Sequence, residues 1–156
     1  MNEELFTEYI TKYSDMVYRI AYSYMNSRAD SEDIMQEVFI KLYQSNKSFC
    51  STEHLKAWLI RVTVNKAKDE LKACRRKQTQ LIAECTDTAA MPNYELAEAM
   101  QTLGADYRVV VYLHYYEGYR IKDMSRLLSI SEANVKTRLK RAREKLKAFL
   151  SDDERG

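Results

Sequence analysis

Residues 121–143 read IKDMSRLLSISEANVKTRLKRAR, and their spacing decides the fold. Ile121 to Leu128 has the pattern of a short amphipathic helix. Ser129-Ile130-Ser131 is a turn, and beyond it Val135, Leu139, Ala142 and Leu146 recur every three or four residues, the stripe of a second helix. Two helices joined in this way make a helix-turn-helix. Off the stripe the second helix carries Asn134, Lys136, Thr137, Lys140 and Arg141. Amide, hydroxyl and cationic side chains on an exposed helix can bond base edges and phosphates in a major groove. Ser131 is placed to cap this helix, with Asn134 where a full capping box would have Glu or Gln. The competing reading is a basic surface helix in an ordinary bundle, but ten Lys and Arg in residues 119–150 exceed what solubility requires.

Working towards the N-terminus, helices are expected over Tyr94 to Leu103 and Asp106 to Glu117, the latter stopped by Gly118 in a left-handed conformation. Tyr112, Tyr115, Tyr116 and Tyr119 are expected to pack this part of the chain, with their hydroxyls reaching water. Gln78 to Asn93 loses helical periodicity and holds the only proline, Pro92, so it reads as a linker. A flexible segment of that length spans roughly 20 Å. Before it come three further helices. The first has a stripe of Phe6, Tyr9, Ile10, Tyr13, Met16, Val17, Ile20 and Tyr24 and ends at Asn26-Ser27. The second carries Ile34, Val38 and Leu42, with Asp30, Glu32 and Asp33 near its positive end. The third starts at a Ser51 or Thr52 cap and runs through Leu55, Trp58, Leu59, Val62, Ala67, Leu71 and Cys74. Trp58 shares a stripe with Leu55 and Val62 and is read as core.

The expected architecture is therefore all-α. Two small helical domains, 1–77 and 94–150, are joined by a linker at 78–93 and followed by a tail at 151–156. Only 3 Gly and 1 Pro in 156 residues agree with this, being too few for a many-turned sandwich or barrel. The longest apolar run, Val109 to Leu113, falls far short of a bilayer span, and the acidic start Met1-Asn2-Glu3-Glu4 is unlike a signal peptide. No stable membrane insertion and a cytoplasmic location are expected.

The formal charge of +2 conceals a sorting of charge along the chain. Residues 1–60 are net −3, 61–81 net +5, 82–118 net −5, 119–150 net +7 and the tail −2. Two basic blocks on an otherwise acidic protein suggest two places for a polyanion.

Three stretches together resemble the bacterial sigma-70 family. They are SEDIMQEVFIKLY at 31–43, LKAWLIRVTVNKAKD at 55–69 and the helix-turn-helix. Their order and spacing are similar to the small extracytoplasmic-function group, which keeps only the second and fourth sigma domains. The resemblance runs from about Phe6 to Leu150. It implies that Asp33, Gln36 and Glu37 dock on a coiled coil of core RNA polymerase. It implies that Asn65, Lys68, Arg75 and Arg76, with the loop Asn46, Lys47, Ser48 and Phe49, read and melt a minus-ten element, taking up unstacked bases from the melted strand. It implies that Asn134, Lys136, Thr137, Lys140 and Arg141 read duplex DNA at a minus-thirty-five element, with Arg138 and Arg143 nearer the phosphates. An anti-sigma partner is also implied.

Three positions depart from the family pattern. Many relatives have Pro at Gly104, Ser or Thr at the cap position Arg120, and Gly at Ser129 in the turn. Each departure is expected to cost about 1 kcal/mol.

Catalysis is not expected, since His54 and His114 lie in different domains and no Ser-His-Asp, HExxH or phosphate-cradling loop occurs. Neither a cofactor nor a metal site is expected. Cys50, Cys74 and Cys85 lack CxxC spacing, and Cys50 with His54 makes at most half a ligand set. The alternatives to a sigma factor are a helix-turn-helix regulator that binds operator DNA without polymerase, and a helical adaptor that binds no DNA.

Overall fold

A computed structural model describes residues 1–77 and 99–155, and its described residues are helical with no strand. The chain divides into two compact units, Met1–Ile82 and Ala83–Gly156. The division falls inside the expected linker 78–93, which lies outside the described residues, as do 94–98 of the helix expected from Tyr94.

The first unit packs three helices, α1 (Glu3–Met25), α2 (Arg28–Gln44) and α3 (Thr52–Lys77), each against the other two. Its core follows the predicted stripes of α1 and α2, but on α3 the face is shifted: Ile60 and Val64 are buried where Val62 and Leu71 are half-buried and Cys74 is exposed. Val17, Ile20, Ile34, Val38, Leu42, Leu55, Leu59, Val64 and Ala67 are all buried. Each large aliphatic side chain so placed contributes about 1.5–3 kcal/mol from apolar burial. The corner between α1 and α2 uses local chemistry. Asn26 adopts φ 51°, a left-handed stop that Asn tolerates, and Ser27 caps α2 by accepting the Asp30 amide at 3.3 Å. At the start of α3, Ser51 Oγ accepts the His54 amide at 3.1 Å while His54 Nδ1 accepts the Cys50 amide at 3.1 Å. This pair resembles a capping box, except that His54 accepts from the amide one residue before the Ser51 cap. The His54 nitrogen is thereby used as a cap, and among the described residues no group of three metal-binding side chains assembles.

The second unit has helical residues 99–101, α4 (Ala105–Val111), a π-helical turn (Tyr112–Tyr116), α5 (Ile121–Leu128) and α6 (Glu132–Arg155). Both α4 and α5 pack on α6. Val109, Leu113, Met124, Leu128, Val135, Leu139 and Ala142 are buried. The helix expected over Asp106 to Glu117 thus changes character after Val111. In the wider turn the Glu117 amide donates to the Tyr112 carbonyl at 3.2 Å, and the Tyr119 amide reaches back to Leu113 at 3.0 Å across Gly118, whose φ is 74°. Of the four tyrosines expected to pack here, Tyr112 is buried and its hydroxyl donates to Glu117 at 2.8 Å, whereas Tyr115 and Tyr116 are largely exposed, Tyr116 with its ring stacked on Tyr112 at 5.5 Å.

The helix-turn-helix closes as its sequence requires. Ser131 Oγ accepts the Asn134 amide at 3.1 Å. Ser129 sits at φ 57°, and Arg120 opens α5 with no side-chain cap. The strain at Ser129 predicts that Ser129→Gly stabilises this unit by about 1 kcal/mol. A thermal melt should rise by about 4–8 °C for a domain of this size; an unchanged or lowered melt would show that the Ser125–Ile130 contacts around the turn already offset the strain.

Candidate nucleic-acid interface

In α2 the side chains of Asp33, Gln36 and Glu37 are exposed, opposite the buried Ile34, Val38 and Leu42. Glu37 is not a free carboxylate. Lys66 of α3 bonds it at 2.7 Å and also reaches Glu70 at 3.4 Å, and the hydrogen bond to Glu37 is the main cause of a Lys66 pKa held above the ordinary lysine value. A raised lysine pKa means that the pair's contribution is complete at neutral pH and fades only in strongly alkaline solution. Ile40 and Tyr43 continue the same row and are exposed, 55% and 43%. Counting seven and ten residues on from Asp33 would have picked both out of the sequence.

The loop after α2 is anchored to α3 by aromatic contacts. The Phe49 ring meets Trp58 edge-on at 5.7 Å and His54 at 5.3 Å, and the Lys47 ammonium lies 5.9 Å from the Trp58 centroid. Asn46, Lys47 and Ser48 are exposed, whereas Phe49 is half-buried. Trp58, expected in the core, is also half-buried and forms the floor beneath this loop. Phe49 therefore holds the loop down while the three polar residues before it face outward.

Along α3, Asn65 is exposed and Lys68 half-buried, while Arg75 and Arg76 lie on the same helix with side chains outside the described set. Positions 65, 68, 72, 75 and 76 recur every three or four residues, so they share one face. The exposed Arg61 and Lys72 extend that row and were missed by motif matching, although the same spacing identifies them. Asn65 also borders a groove of about 280 Å³ between α2 and α3, lined by Glu37, Lys41, Lys66 and Asp69.

On α6 the buried Val135, Leu139 and Ala142 define the inner face. Asn134, Thr137, Lys140 and Arg141 lie away from it and are exposed, with Lys136 on one flank. The two arginines expected near phosphates are held by the domain itself. Arg138 Nε donates to Asn134 Oδ1 at 3.1 Å and its guanidinium lies 3.8 Å from Asp106 of α4. Arg143 donates to the Tyr115 hydroxyl, with its guanidinium 5.8 Å from that ring's centroid. The exposed face thus combines amide, hydroxyl and cationic groups at the N-terminal half of a helix, the part that enters the groove in helix-turn-helix proteins.

Comparison with known proteins agrees with this geometry. Residues 9–77 match Sigma-70 region 2 and residues 94–146 match Sigma-70, region 4. The chain is 27% identical to the ECF RNA polymerase sigma factor SigW of Bacillus subtilis (strain 168), over 97% of this chain and 91% of the relative. It is 31% identical to the ECF RNA polymerase sigma factor SigM of the same organism, over 88% and 90% respectively. Among solved structures, the sigma factor RpoE of Bartonella quintana, crystallised with the anti-sigma factor NepR, gives a TM-score of 0.73 over 94% of this chain and 96% of that one at 21% identity, a likeness of fold. Two sigma regions in the right order, each on its own helical unit, have one consistent interpretation: the chain belongs to the sigma-70 family of RNA polymerase sigma factors, in its extracytoplasmic-function group.

Proposed function

We propose that this sigma factor docks on core RNA polymerase through Asp33, Gln36 and Glu37, engages the minus-ten element with Asn46 to Ser48, Asn65, Lys68, Arg75 and Arg76, and reads the minus-thirty-five element with Asn134, Lys136, Thr137, Lys140 and Arg141. It works in the cytoplasm and positions promoter DNA while the polymerase performs the chemistry. No described helix is long and apolar enough to cross a membrane. The observation that carries the proposal is the exposed polar row on α6 in the same chain as a region 2 unit with a basic α3. The NepR complex of the Bartonella factor supports an anti-sigma partner here as well.

The charge pattern supports a division of labour. The acidic first 60 residues suit a protein partner, and the +5 and +7 blocks suit two separated DNA sites. Each DNA contact alone is weak, and the polymerase joins them by raising effective concentration. Free chain should therefore bind promoter DNA at least tenfold more weakly than the assembled holoenzyme in a mobility-shift titration. Equally tight binding without polymerase would instead favour an operator-binding regulator. Within the holoenzyme, Arg141→Ala should relax selection at one upstream position by about 1–3 kcal/mol. A uniform loss across all sequences would make Arg141 a phosphate contact.

A further inference from the structure

Arg138 lies on the flank of α6, with only 22% of its side chain exposed, and its contacts among the described residues are internal to the second unit. Its Nε donates to the amide oxygen of Asn134 one turn earlier at 3.1 Å, and the guanidinium is held on its other side by Asp106 of α4 at 3.8 Å. An arginine has donors and no acceptor, so only the oxygen of the Asn134 amide can face it. The amide is planar, with oxygen and nitrogen on opposite sides of its carbon. Turning the oxygen along the helix towards residue 138 turns the NH₂ group away from it.

We infer that Arg138 is a positioning residue that sets base preference: it turns the Asn134 amide oxygen along the helix towards itself and leaves the NH₂ group as the part of that side chain presented to the DNA. The inference rests on the proposed role of Asn134 at the upstream element. A free asparagine pairs bidentately with adenine, accepting from N6 and donating to N7. That geometry needs the amide oxygen and nitrogen side by side at the base edge. An oxygen turned along the helix to a guanidinium is turned out of that side-by-side arrangement. An amide presenting its NH₂ group matches acceptors, which the groove edge offers as O6 and N7 of guanine and O4 of thymine. Asp106 keeps the arrangement in place, because without it the guanidinium is free to swing towards a phosphate.

The test uses holoenzyme assembled with the full chain and a promoter library randomised over the upstream element, with bound and unbound DNA sequenced. Wild type should favour guanine or thymine at one position, and Asn134→Ala should flatten that position alone. Arg138→Met keeps the apolar stem but removes the donors, so preference there should move to adenine by roughly fivefold or more while other positions hold. Arg138→Lys restores a donor and should restore the wild-type preference. Asp106→Asn should shift preference in the same direction as Arg138→Met but by less, and serves as the second readout if Arg138→Met lowers the melting temperature.

If Asn134→Ala alters no position, the role of Asn134 at the DNA fails, and the inference fails with it. If Asn134→Ala flattens a position but neither Arg138→Met nor Asp106→Asn changes the base chosen there, the positioning role alone is overturned. An equal loss of affinity on every sequence for Arg138→Met would make Arg138 a phosphate clamp and would overturn it too.

Discussion

Leu139→Ala should unfold much of the DNA-reading unit while leaving the first unit folded. Leu139 is 1% exposed on the inner face of α6, between Val135 and Ala142, which are both fully buried. Truncating a leucine in such a site costs about 2–5 kcal/mol, the lost burial plus the cavity that remains. A small domain has a total stability near the lower end of about 5–15 kcal/mol, so this loss is a large share. Hydrogen exchange on the full chain should show protection across residues 121–149 falling roughly a hundredfold, with α1 to α3 unchanged. Protection in α6 that stays at the wild-type level would mean that the helix-turn-helix does not depend on this packing. Arg141→Ala is the control, because its exposed side chain should leave exchange as it was.

The second large effect is expected in the first unit. Asp33→Lys should lower affinity for core polymerase by about 10–100-fold, the scale of placing a like charge against a docking surface. The circular-dichroism melt should barely move, since Asp33 is exposed on the outer face of α2. A melting shift of several degrees would show that Asp33 is structural. Glu37→Lys is the poorer experiment, although the sequence groups the two residues. It would set a lysine beside Lys66, which now bonds Glu37 at 2.7 Å, and would disturb the α2–α3 contact together with any docking.

That difference shows where sequence spacing stops being informative. Periodicity located the buried faces of α1, α2 and α6, and that of α3 in part, because burial of a helical stripe is a local property with a fixed period. Turn chemistry located Asn26, Gly118 and Ser131 for a similar reason: backbone conformation and capping depend on neighbours within a few residues. Contacts between helices have no such signature. The Glu37–Lys66 bond and the Arg143–Tyr115 bond join residues about thirty positions apart, and each changes how a candidate site residue can act.

The π-helical turn was illegible as well, since an i→i+5 bond is made by the same apolar residues that would extend an α-helix. Tyr115, within that turn, is exposed and meets Arg143. Trp58 fits the core stripe by spacing, but only the fold shows that the loop carrying Phe49 folds back over it. Arg75 and Arg76 were read from motif and helical register, and their side chains lie outside the described residues.

The central claim is that this chain confers promoter choice on RNA polymerase through two DNA-reading units. Run-off transcription with core polymerase measures it directly, with promoters selected from a randomised library and then scrambled in the upstream or the downstream element. Initiation from one defined start site should require the added chain, and scrambling either element should reduce it at least tenfold. Transcription that is indifferent to the chain, together with tight binding of the free chain to duplex DNA, would contradict the account.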